Sequence, residues 1–210
     1  MNILKLLSLI TLVVVFSSCS SNDDGPEVLQ VESSTVSNLF APQSGGQGEP
    51  VSGPFTKFDF ETGAPTSSTT EWDIAFRGTT IIVNGGVSLG TTDEPERTGN
   101  GGAYIETGTF ANIGSVDPLA FVQDSNSGYA IASGSGNGWY NYNFASNTIE
   151  PIPGRVLVFK TRDGKYAKIE VLSYYKDAPE DITPEIAAND LRYFTFNYVY
   201  QPNSGEIAFE

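Results

Sequence analysis

The chain has 210 residues, with 25 acidic side chains against 11 basic ones, a formal net charge of −14, no histidine, one cysteine and one methionine. An acidic excess of this size repels phosphate backbones, so no nucleic-acid partner is expected. A single cysteine excludes a disulfide framework, and the lack of imidazole excludes the usual transition-metal centres.

The N-terminus reads as an export signal. Lys5 precedes the apolar run Leu6 to Phe16, and Ser17-Ser18-Cys19 follows. About eleven apolar residues are too few to span a bilayer, so residues 1–18 are expected to be a signal peptide ending in a lipobox, with Phe16 where Leu is more usual. Cleavage there would leave Cys19 lipidated, and several acyl chains anchor a protein stably to a membrane. Ser20 to Asp24 is a polar, acidic stretch that resembles the tether with which Bacteroidota send lipoproteins to the cell surface; it also reads as a plain flexible linker. Residues 19–54 are taken as tether and N-terminal loop region, with a short strand expected at Val28 to Val31, and residues 55–210 as one β domain.

Within that domain Phe55, Phe58 and Phe60 mark a strand that stops at Gly63-Ala64-Pro65. In Trp72 to Phe76, alternation puts Trp72, Ile74 and Phe76 on one buried face, and Thr79 to Val83 either pairs with that run or stands apart. From Val87 to Gly138 glycines interrupt short apolar pieces, which predicts long functional or mobile loops. Asp117-Pro118 predicts a short helix through Val122, with Asp117 as its cap. Trp139 to Phe144 predicts an aromatic strand, with Tyr140, Tyr142 and Phe144 on one side and Trp139 on the other.

The C-terminal part is the clearest. Arg155 to Thr161 alternates, Asp163-Gly164 makes a hairpin turn, and Ala167, Ile169, Val171 and Ser173 form one face of the second arm, opposite Tyr166, Lys168, Glu170, Leu172 and Tyr174. Leu191 to Gln201 is β-forming on both faces and is expected to be an interior strand, with Phe194, Phe196, Tyr198 and Tyr200 together. The fold class is therefore all-β: a single antiparallel domain with long Gly-rich loops.

Three pieces of this pattern are specific: WDIAFR at 72–77, VFKTRDGKYAKIEVLSYYK at 158–176 and FNYVYQ at 196–201. With Ile81 to Gly86 they resemble the HmuY family of Bacteroidota haem-binding lipoproteins, from about Phe55 to Gln201. The resemblance implies a haemophore-like carrier on the outer membrane, anchored by lipid, facing the cell surface and feeding an outer-membrane transporter in iron acquisition. It also implies haem iron held between two His or Met side chains on finger-like loops. This chain departs from that pattern, because it has no His and its single methionine is Met1.

Catalytic chemistry finds little in the sequence, so a binding protein and not an enzyme is expected: there is no His base, no reactive Cys and no GxSxG elbow. Gly134 to Gly138 lacks the Lys and the following helix of a phosphate loop; the acidic loop of Asp93, Glu94 and Glu96 before Arg97 leaves calcium open, but it lacks EF-hand spacing and reads first as solvated carboxylates. If haem is the ligand, tyrosinate is a known axial choice among the residues present, and lysine is the other. The family's ligand-bearing fingers correspond to Tyr104 to Tyr129 and Trp139 to Asn147, so Tyr140 and Tyr142 come first and Tyr129 and Tyr104 second. Arg97, Arg77 or Lys57 are candidates for the propionates. Arg155, Lys160, Arg162, Lys165, Lys168 and Lys176 fall in one hairpin, a face suited to an anion or simply solvated. Two other readings remain: a glycan site, if Trp139, Tyr140 and Tyr142 lie exposed as a stacking ladder, and a structural surface lipoprotein, if they are buried.

Overall fold

The computed structural model describes residues 28–46 and 48–210. The expected signal peptide, the lipidation site expected at Cys19 and the acidic stretch after it lie outside these residues. In chain order the strands are β1 (Glu32–Phe40), β2 (Ser44–Gly46), β3 (Glu49–Ser52), β4 (Thr56–Asp59), β5 (Ala64–Thr66), β6 (Ile74–Arg77), β7 (Thr80–Val83), β8 (Gly102–Thr107), β9 (Tyr140–Asn143), β10 (Thr148–Pro151), β11 (Arg155–Lys160), β12 (Tyr166–Tyr175) and β13 (Leu191–Gln201). One short helix, α1 (Pro184–Asn189), precedes β13; Thr183 caps it by accepting the Ile186 amide at 3.3 Å, and Pro184 opens it.

Two antiparallel sheets make the body of the fold, with strand orders β1-β13-β12-β11-β8 and β5-β4-β6-β7. Their facing sides supply an aromatic core. Phe58 of β4 meets Phe196 of β13 edge-on at 5.5 Å, Phe60 meets Phe159 at 5.8 Å, and Phe76 of β6 stacks on Phe196 at 5.8 Å. The hairpin turns at Asp163-Gly164, and Ile169 is fully buried in this core, as its alternation requires. β13 lies between β1 and β12, and its Phe194, Phe196, Tyr198 and Tyr200 all point inward. β6 and β7 form a hairpin across Gly78.

Both sheets are also covered on their outer sides, which explains why β6, β7 and β11 read as continuous apolar runs. Ala75, Ile82, Trp72 and Phe55 pack outside the small sheet, against Tyr129. Val156, Val158 and Val199 pack outside the large sheet, under Val116 and Phe209. On that side Lys168 is only 4 % exposed; its ammonium donates to the carbonyls of Phe110 and Ile113 at 2.7 Å each, and burial lowers its pKa.

Four expectations are corrected. The first strand lies at Glu32–Phe40 and not at Val28 to Val31. It precedes Phe55 yet forms an edge of the large sheet, because its backbone completes the hydrogen bonding of β13. Trp72 falls before β6 begins, so it escapes the strand's alternation and packs on the opposite side from Ile74 and Phe76. Residues 117–122 form a turn. The Asp117 carboxylate accepts the Leu119 amide at 2.9 Å, and Val122 then pairs with Ala103 of β8, exchanging two backbone bonds. Finally, Tyr174 points into the core with Ala167 and Ile169, because register shifts flanking Ser173 reverse the faces of β12 beyond Val171.

Candidate ligand-binding cleft

The hairpin of β9 and β10 stands on a buried base. Trp139, 2 % exposed, donates its indole N–H to the Thr79 carbonyl at 2.9 Å and packs on Phe194 at 5.0 Å and Tyr174 at 5.7 Å. Tyr140, 8 % exposed, packs beside it, and its hydroxyl accepts from Thr79 Oγ1 at 3.3 Å. Two residues further along the same face, Tyr142 has left the core and is half-buried. Its amide donates to Ser135 Oγ and its hydroxyl to Asn147 Oδ1, both at 2.8 Å. At the tip Phe144 is 82 % exposed and meets the Tyr142 ring edge-on at 4.7 Å. With Trp139 and Tyr140 buried and the outer two rings perpendicular, these residues offer no flat ladder for stacking on sugars; Trp139 and Tyr140 meet the expectation for a structural role, and of the three only Tyr142 stays open to a ligand.

Between this hairpin, the end of β12 and the start of β13 lies a cleft of about 230 Å³, lined by Tyr142, Tyr174, Tyr175, Ile149, Leu191 and Arg192 among others. The Tyr175 hydroxyl accepts the Ile149 amide at 2.8 Å, which ties β10 to β12. Burial raises the pKa of Tyr174 and Tyr175, so both phenols are protonated donors near neutral pH. Sequence alternation missed Tyr174, Tyr175 and Arg192. The reversal in β12 brings Tyr174 to the cleft, and the only local signal is the Tyr-Tyr pair just before the chain leaves the strand.

The four tyrosine candidates occupy three separate places. Tyr140 and Tyr142 are brought together. Tyr129 lies outside the small sheet, its hydroxyl 3.5 Å from Thr91 Oγ1, and Tyr104 lies outside the large sheet, where its hydroxyl accepts the Asp117 amide at 2.9 Å. Burial raises the pKa of both. The stretch from Tyr104 to Tyr129 is thus not one finger but a cover that crosses from one sheet's outer side to the other's.

The cations named as propionate partners are used internally. Arg97 is buried against Glu94 at 2.6 Å and Asp124 at 2.8 Å. Arg77, buried over the Phe55 ring at 4.2 Å, donates to the carbonyls of Gly53 and Thr92 and to Thr91 Oγ1. Lys57 donates to the Ser68 carbonyl. The basic hairpin residues are dispersed too. Arg155 gathers the carbonyls of Gly136, Asn137 and Gly138, so that glycine loop offers acceptors to a cation and not amides to a phosphate. Arg162 reaches Asp59, Asp73 and Glu71, while Lys165 pairs with Asp163. In the acidic loop Glu94 is taken by Arg97, and Asp93 accepts the Gly53 amide at 2.9 Å; among the described residues no cluster of three or more carboxylate, thiol or imidazole groups could hold a metal ion.

A larger open groove, about 1000 Å³, lies between residues 28–33 and the C-terminal segment. The charged groups in its lining are Glu206 and Glu210, and it has no tyrosine, so it offers neither an iron ligand nor a counter-charge to an anion. The tyrosine cleft is smaller, and its lining brings together three phenols, of Tyr142, Tyr174 and Tyr175, and the guanidinium of Arg192.

A family model described as HmuY protein matches residues 54–187, well over half of the chain. No curated protein sequence matches. Among solved structures, an apo HmuY analogue from Tannerella forsythia is 14 % identical with a TM-score of 0.45, over 85 % of this chain and all (100 %) of that one. A Bacteroides fragilis NCTC 9343 protein described as a lipoprotein is 16 % identical, TM-score 0.45, over 83 % of this chain and 92 % of its own. A Bacteroides vulgatus ATCC 8482 protein described as HmuY-like and haem-binding is 15 % identical, TM-score 0.47, over 83 % and 93 %. At such scores the structural likeness bears no weight, and the assignment rests on the extent of the family match. The chain belongs to the HmuY family.

Proposed function

We propose that this is a non-enzymatic lipoprotein of the outer membrane, facing the cell surface, that captures haem or a related flat ligand in the cleft beneath β9 and β10 and passes it to an outer-membrane transporter. The observation that carries this reading is the half-buried Tyr142, held beside Tyr174 and Tyr175 on a hairpin whose base is locked into the core. The cleft is smaller than the about 300–1,000 Å³ of pockets that enclose small molecules, so a flat ligand would enter edge-first, with Phe144 flanking its outer part. Bound haem would supply a ferric centre that accepts an oxygen ligand. The donors present fit that requirement through phenolate and exclude the His and Met ligation of the family, since the chain has no His and only Met1.

Haemin titration of the purified mature protein tests this. Saturable growth of a Soret band with a high-spin ferric spectrum is expected, and Tyr142→Phe, which keeps the ring and removes the oxygen, should weaken binding at least about tenfold, or 1.4 kcal/mol. Tyr104→Phe and Tyr129→Phe should leave it unchanged. Absence of saturable binding would overturn the proposal, and an unchanged spectrum in Tyr142→Phe would remove Tyr142 as the ligand.

The membrane anchor is tested separately. Cys19→Ala is expected to move the protein from the membrane to the soluble fraction, and the wild-type N-terminal peptide should carry acyl chains on Cys19. A mature N-terminus at any other residue would rule out this lipidation site.

A further inference from the structure

We infer that Arg192 is a carboxylate anchor, so that the cleft selects a flat ligand bearing an acidic group at its edge; this rests on the cleft being the ligand site. The five arginines of this chain divide sharply. Arg97 and Arg162 are consumed by ion pairs, and Arg77 and Arg155 are wrapped by backbone carbonyls. Arg192 is half-buried in the lining of the cleft. Its guanidinium donates to the Gln43 carbonyl at 2.5 Å and lies against Tyr174, and among the described residues no carboxylate is within ion-pair distance of it. In a chain with 25 acidic residues, a cation left without a counter-charge at the wall of a cleft is an unfilled acceptor of an anion.

The backbone at this position points the same way. Arg192 has φ +75°, in the left-handed region that is strained for a side-chain-bearing residue and that Gly adopts freely. It sits where the pairing of β12 and β13 is irregular, and its carbonyl accepts the Ala41 amide at 2.8 Å, so the neighbouring strands hold the strain in place. A planar guanidinium has donors left after the Gln43 bond, and its fork matches a carboxylate in two parallel bonds. The phenols of Tyr142 and Tyr175 sit in the same lining.

Metal-free protoporphyrin IX and its dimethyl ester separate this contact from iron ligation, because neither presents a metal to Tyr142. Binding is read by quenching of intrinsic fluorescence in wild type, Arg192→Gly and Arg192→Asn. Both substitutions suit the left-handed backbone, so the melting temperature should hold or rise. The acid is expected to bind wild type roughly ten- to a hundred-fold more tightly than either variant, while the ester binds all three alike and weakly. Equal binding of the acid to wild type and Arg192→Gly would overturn the anchor, as would equal binding of acid and ester to wild type. If haemin still binds with Tyr142 dependence in those cases, the haem reading stands and only the anchor falls. If wild type binds neither porphyrin nor haemin, both fall.

Discussion

Asp124→Ala is expected to lower the unfolding free energy by about 3–5 kcal/mol, the cost of stripping one partner from a buried ion pair. Asp124 is a junction more than a bridge. Its Oδ2 accepts the Val83 amide at 3.1 Å and Arg97 Nη2 at 2.8 Å, and its Oδ1 accepts the Ala130 amide at 2.8 Å. These bonds fasten the end of β7, the loop carrying Arg97 and the segment beside Tyr129 to one carboxylate. Alanine would leave two amides and part of a guanidinium unpaired where water cannot reach, although Glu94 would still hold Arg97. Burial raises the pKa of Asp124, whereas Glu94, buried as well, is drawn below its ordinary value by Thr91 and Arg97; Glu94 is thus the partner that keeps its charge in the variant. Denaturant unfolding measures the loss, and the emission of Trp72, beneath the same cover, should shift red. A cost below about 1 kcal/mol, the size of an exposed pair, would show that the junction is solvated.

This junction also explains why the glycine-rich stretch resists being read from sequence. Alternating glycines between Val87 and Gly138 suggest mobility, yet the segment is pinned by polar side chains. Asn84 alone accepts the amides of Thr98 and Gly99 at 2.7 and 3.0 Å and donates to the Trp72 carbonyl at 2.8 Å. The glycines serve close approach: a Cβ on Gly85 would overlap the carbonyl oxygen of Gly101 where the two segments cross. Such contacts join residues far apart in the chain and leave no periodic trace.

The strands divide the same way. β11, β12 and β13 carry their own alternation, and Asp163-Gly164 sets the hairpin turn, so local residues specify the pairing. β1, with the polar sequence ESSTVSNLF, has no such pattern; it is a strand because β13 offers an unpaired edge, and Asn38 at φ +57° takes up a bulge on the way. Of the candidate cleft, the hairpin with Tyr140 and Tyr142 was legible as an aromatic run. Tyr174 and Arg192 were not, since both depend on irregular pairing between β12 and β13, and an irregularity of one residue exchanges the faces that alternation assigns.

Arg162→Met is expected to destabilise the protein by about 3 kcal/mol or more near pH 8 and by distinctly less near pH 5. Arg162 sits in the β11–β12 turn and pins that hairpin to the small sheet, meeting Asp59 at 2.9 Å and Asp73 at 3.1 Å, both buried, and the more exposed Glu71 at 2.9 Å. Methionine keeps most of the packing and the main-chain bond from the residue 162 amide to Asp73 at 2.9 Å, so the change isolates the charge. Burial lifts the Asp73 pKa to about 6, against the lowering effect of the amides of Phe60 and Arg162 and of the guanidinium itself. Because this folded-state value exceeds the ordinary 3.8, the folded protein takes up the proton first; the contribution of Asp73 to stability is complete below about pH 4 and is lost as pH rises through about 6. Removing Arg162 withdraws one of the influences that lower it, so the Asp73 pKa rises further, and each additional unit adds about 1.4 kcal/mol to the cost of holding the ionised form. At pH 5 Asp73 is already largely protonated and has less need of a counter-charge, which is why the variant should recover there. Urea unfolding of wild type and Arg162→Met at the two pH values decides it: an equal loss at both would mean that Arg162 acts through packing, while Arg162→Lys should restore part of the stability at pH 8 if charge is the cause.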